Sequence, residues 1–109
     1  MSSTGTRNFI VQRASAVLLL PLVAFFLFGA VSHAGAGAEE VLAWLSEPLT
    51  AGLFALLIVV GAAHMRIGLN EVIEDYVHSN AKGLLMILNL LAALCVAGAG
   101  LYAAFRLAF

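Results

Sequence analysis

Charged side chains leave three long gaps in this chain. Residues 14–38, 48–65 and 83–105 contain no Asp, Glu, Lys or Arg and are dominated by Leu, Ala, Val and Phe. A membrane-spanning helix needs about 20 mostly apolar residues. The pattern therefore predicts helices over about 14–31, 48–77 and 81–107. The second reaches full length only by continuing into the amphipathic stretch that begins at His64. The expected fold class is an all-α membrane protein with three transmembrane helices, forming one domain over 1–109.

The segments between the runs carry their own signals. Residues 1–8 read as a polar tail, and 9–13 as the interfacial start of the first helix. Pro21 inside a span is tolerated as a kink, because neighbouring helices re-satisfy the freed backbone. Residues 32–47 form a loop with Glu39, Glu40 and Glu47 and no Lys or Arg. Within it Trp44 suits an interface anchor on a short surface helix over 41–45, and Pro48 suits a first helical turn. Arg7 and Arg13 flank one side of the membrane, with Arg66 and Lys82 around the second connection. By the positive-inside rule, the N-terminus is cytoplasmic and the C-terminus periplasmic. Arg7 and Arg13 before an apolar run, then AGAGA at 34–38, also fit a secretory leader. The uncharged run exceeds the 7–15 residues of a leader core, so it is expected to stay as a span.

Composition agrees with the pattern. The chain is 63% apolar and 10% charged, against about 25% charged in soluble domains. A net charge of −1 provides no basic face for nucleic acid. The lone Cys95 excludes an internal disulfide and is expected to be a small packing residue in the third span. On that span Ala93, Ala97, Gly100 and Ala104 share one face, as small residues do where membrane helices approach closely. Asn89 is a candidate for a hydrogen bond between helices.

The candidate chemistry is concentrated in HMRIGLNEVIEDYVH, residues 64–78. At about 100° per residue, His64, Gly68, Glu71 and Asp75 fall on one helix face. Tyr76 stands beside that face, roughly 18 Å along the axis from His64. His64 is open to two readings, a hydrogen-bonded histidine between helices or an axial haem ligand. Gly68, one turn on, leaves room for a flat ring against the backbone. Arg13 either sets topology or offers a counter-charge. The charges at Arg66, Glu71, Glu74 and Asp75 each cost up to about 3 kcal/mol at a helix centre. That segment must leave the bilayer or be covered by protein. His33 and His78 read as solvated loop residues.

The spacing H-x-x-x-G followed by D-Y, with NFIVQRASAV at 8–17, resembles the small haem-anchoring membrane subunit of succinate dehydrogenase. The resemblance implies that His64 is one axial ligand of a b-type haem. A larger cytochrome b anchor subunit would supply the second ligand, since His78 lies about 21 Å along the helix from His64. Arg13 is implied at a haem propionate, Gly68 in haem packing, and Tyr76 with Asp75 at the ubiquinone site. A phenol suits a quinone carbonyl because it donates a hydrogen bond while staying neutral. The role of Glu71 is left open. Partners implied are the flavoprotein and iron–sulfur subunits, with succinate chemistry outside this chain, in a bacterial inner membrane. The alternatives are a fumarate reductase anchor, a small transporter or an assembly protein. Spans one and three lack the buried carboxylate that a transporter needs.

Overall fold

The computed structural model describes residues 3–109, which form four helices: α1 (Ser3–Ser32), α2 (Ala38–Ser46), α3 (Pro48–Tyr76) and α4 (Ala81–Ala108). Three of them, α1, α3 and α4, are long and apolar enough to cross a membrane, and the chain is a multi-pass membrane protein. Their 28 to 30 residues rise about 42–45 Å, more than the roughly 30 Å hydrocarbon core. The ends must therefore stand in the headgroup layers. A core that began at Pro48 would be spanned near Ile67, which would leave Glu71, Glu74 and Asp75 beyond it.

The first helix starts earlier than the pattern predicts. Residues 3–13 continue α1, although the tail was expected to end at 8 and the helix to begin at 14. Extending a helix that the apolar run has already nucleated fixes one residue per added hydrogen bond, so weak formers are carried along. Met1 and Ser2, the rest of that expected tail, lie outside the described residues. Pro21 lies within α1. The helix closes at Gly35, whose φ of 84° lies in the left-handed region that a Cβ disfavours. The His33 and Ala36 amides bond back to the Gly29 and His33 carbonyls, each at 3.0 Å.

Helix α2 is longer than the 41–45 segment expected. Glu39 and Glu40 in its first turn complement the helix dipole. Its Trp44 is half-buried in an aromatic cluster with Phe25 and Phe26. His33 stacks on the same indole, with centroids 4.6 Å apart and planes 21° from parallel. The expectation that His33 is a solvated loop residue is therefore corrected: its Nδ1 also bonds the Gly29 carbonyl at 2.7 Å. The indole occupies the space above Gly29, where any Cβ would overlap it. His78 is exposed in the connection, as expected.

Packing is inverted relative to a soluble protein. The buried apolar residues are Leu22, Ala51, Ala62, Ala93 and Ala104, whereas Leu20 is 72% and Phe28 76% exposed. Lipid tails solvate large side chains as well as leucine does, so close approach of small residues and interhelical hydrogen bonds hold the helices together. Along α4, Ala93, Gly100 and Ala104 are buried and Ala97 half-buried, matching the predicted face. Asn89, 6% exposed, reaches α3 and donates through Nδ2 to the Arg66 carbonyl and to Asn70 Oδ1, both at 2.8 Å. Cys95 departs from expectation: it is exposed on the outer face of α4 and packs no core. Helix α3 is central, with α4 packed closely on one side and α1 more loosely on the other.

Candidate functional site

The α1–α3 seam is an antiparallel ladder of three rungs. A Cβ on Gly61 would lie 4.0 Å from Leu19 Cδ2, and one on Gly68 would lie 3.4 Å from Gln12 Nε2. Between these two glycine seats, His64 Nδ1 meets Ser15 Oγ at 2.8 Å. Stepping up α3 from 61 through 64 to 68 steps down α1 from 19 through 15 to 12, as antiparallel helices must. Leu19 and Gln12 lie over these two glycines at distances where even a Cβ would make only ordinary contact, and the imidazole is held between them.

The hydrogen bonds define the histidine's chemistry. Ser15, 6% exposed, donates its hydroxyl proton to the Gln12 carbonyl at 2.9 Å. A carbonyl only accepts, and a hydroxyl has one proton to give. Both contacts of Ser15 Oγ are hydrogen bonds only when His64 carries its proton on Nδ1 and donates it. This leaves the lone pair on Nε2, the atom through which a neutral imidazole binds a metal.

His64 lies at the boundary of two open clefts. One, of about 310 Å³, is lined by Phe9, Gln12, Arg13, Ala16, His64 and Glu71. The other, of about 370 Å³, is walled by Ala16, Leu19, Leu20, Val23, Ala24 and Leu27 with His64. A polar end and an apolar trough thus share one imidazole. Arg13 is exposed, its guanidinium carbon 5.4 Å from the Phe9 ring centroid. Gln12 Oε1 is buried without a hydrogen-bond partner at this polar end.

Of the residues singled out in the sequence, His64 and Arg13 line one cleft, and Glu71 joins them there. Gly68 is one turn from His64 and faces Gln12. Asp75 and Tyr76 stand apart: both are exposed at the end of α3, Tyr76 by 78%, and neither lines this cleft. Sequence reasoning missed Ser15 and Gln12. Both lie in the NFIVQRASAV stretch that carries the family resemblance, but nothing in it marked them as partners of α3.

Three membrane-length helices with one imidazole held in a helix–helix groove define a polytopic membrane protein. The family model described as the succinate dehydrogenase/fumarate reductase transmembrane subunit matches residues 1–98, and the chain belongs to that family. It is 28% identical over 103 residues to the succinate dehydrogenase hydrophobic membrane anchor subunit of Paracoccus denitrificans, covering 94% of this chain and 80% of that one. No solved structure matches it.

Proposed function

We propose that this chain is the hydrophobic membrane anchor subunit of a succinate:ubiquinone oxidoreductase, with His64 as one axial ligand of a b-type haem. The observation that carries the reading is the Nδ1 bond of His64 to Ser15, which leaves Nε2 as the ligating atom between a polar and an apolar cleft. The residues present fit the group. Ala16, Leu19, Leu20 and Val23 suit the apolar face of a macrocycle, and Arg13 at the polar end suits a propionate. Gly68, one turn from His64, leaves room for the flat ring against the backbone. When bound, the haem supplies one-electron transfer; the chain's residues supply ligation, charge neutralisation and an apolar wall.

Tyr76 and Asp75 form the ubiquinone contact at the far end of α3. The phenol donates a hydrogen bond to a quinone carbonyl, and the acid relays a proton as the quinone is reduced. Their exposure, 78% for Tyr76, suits a pocket completed by other subunits. Those partners are a larger cytochrome b anchor subunit, which gives the second axial histidine, an iron–sulfur subunit and a flavoprotein that oxidises succinate. The membrane is a bacterial inner membrane, with the N-terminus cytoplasmic and the C-terminus periplasmic. Fumarate reductase is the second reading, since the family spans both enzymes.

The test is the visible spectrum of the complex carrying His64→Ala. Loss or displacement of the reduced b-haem band, with the subunit still inserted in the membrane, is the expected result. An unaltered spectrum and midpoint potential would remove His64 as the ligand.

A further inference from the structure

We propose that Ser15 is the positioning residue of His64: its hydroxyl selects the Nδ1–H tautomer and fixes the ring plane, so that Nε2 is presented to the groove. This rests on the reading of His64 as a haem ligand. Ser15 and His64 are 49 residues apart and on different helices, and their 2.8 Å bond links side chains across the α1–α3 seam. The hydroxyl is itself anchored. It donates to the Gln12 carbonyl at 2.9 Å, which orients its acceptor lone pairs toward α3.

The opposite arrangement, with Ser15 donating to Nδ1, sets two acceptor oxygens 2.9 Å apart with no proton between them. It also moves the ring proton to Nε2, the atom a metal needs free. The arrangement His64 N–H to Ser15 O–H to Gln12 C=O is a continuous chain in which each bond polarises the next. A ligating imidazole that donates its second N–H becomes more basic, and deleting such a partner weakens metal affinity by about tenfold to a hundredfold. Ser15 is buried at 6% exposure, so water is poorly placed to substitute for it.

A more basic imidazole favours ferric over ferrous iron. Removing the hydroxyl therefore raises the haem midpoint potential, by about 59 mV for each tenfold of ferric affinity lost preferentially. The experiment compares Ser15→Ala, Ser15→Thr and Ser15→Val in the assembled complex, with His64→Ala alongside. Threonine and valine have nearly the same shape, and only threonine keeps the hydroxyl. Haem content, midpoint potential and the low-spin ferric electron paramagnetic resonance signal are read for each.

The expected result is a raised midpoint and an altered resonance in the alanine and valine variants, with threonine close to wild type. Wild-type potential and resonance in the alanine variant, while His64→Ala loses haem, would overturn the role of Ser15 and leave the ligand reading standing. If His64→Ala keeps its spectrum, the ligand reading fails and the role of Ser15 falls with it. Should the alanine complex not assemble, threonine and valine decide: equal behaviour of the two means that Ser15 only packs.

Discussion

Gly100→Ala and Gly98→Ala make the same chemical change two residues apart on α4, and their effects should have opposite signs. A Cβ on Gly100 would lie 2.8 Å from Ile58 Cβ and 3.0 Å from its Cγ1, and would overlap Cγ2 outright. Rotating Ile58 relieves the Cγ clashes but leaves its Cβ, which the α3 backbone fixes. Restoring the 3.4 Å at which ordinary contact begins moves α4 about 0.6 Å from α3. Overpacking of this kind costs about 1–3 kcal/mol. Gly98 has nothing within 4 Å of its added Cβ, so alanine there gains up to about 1 kcal/mol of helix propensity. The propensity gain is common to both changes, so the gap between the variants is the overpacking cost, about 1–3 kcal/mol, or roughly fivefold to a hundredfold in the folding equilibrium. Unfolding by SDS in mixed micelles, followed through the single tryptophan, Trp44, measures both. Indistinguishable midpoints for the two variants would refute this account of the α3–α4 contact. Ile58→Ala should rescue Gly100→Ala only in part, because alanine retains the offending Cβ.

Tyr76→Phe deletes one hydroxyl while keeping the ring, and loss of a single donor costs about 1–3 kcal/mol. Quinone reduction should fall roughly tenfold to a hundredfold, while succinate oxidation with an artificial acceptor stays near wild type; equal loss of both would make the effect one of assembly. Cysteines introduced at positions 36 and 80, in a Cys95→Ala background, test the orientation. Position 36 should label from outside intact cells, and labelling of position 80 from outside would invert the topology.

The spans were legible because a run of 18 or more residues without charge is rarely compatible with anything but a bilayer. Asn89 and the small face of α4 were legible for a related reason: polar and small residues are disfavoured against lipid unless a neighbouring helix meets them. His64 stood out as an ionisable group within a span. Its partner did not, since Ser15 is one hydroxyl among several and its meaning depends on the register between α1 and α3. That register places Leu19 beside Gly61 and Gln12 beside Gly68, which no single-helix pattern encodes. Glu71 was placed on the His64 face correctly, yet its meeting with Arg13 at one cleft required the second helix. His33 misled for the opposite reason. By type it reads as a solvated boundary residue, and only the indole seated above Gly29 gives it a stacking partner.

The unequal seams on either side of α3 bear on the order of assembly. Helices α3 and α4 are joined by the short stretch 77–80 and packed closely, so this hairpin closes at little entropic cost. Helix α1 rests against it through fewer contacts, and its path back to α3 runs through the whole of α2. Parting α1 from α3 disturbs the Leu19 and Gln12 contacts and the Ser15–His64 bond; parting α4 disturbs a continuous small-residue face and the Asn89 bonds. Separation of the bundle is therefore expected to begin at the α1–α3 seam, with the α3–α4 hairpin persisting. The histidine stands on the more tightly packed helix and its hydroxyl partner on the more loosely packed one, so the bond that orients the ring crosses the weaker seam.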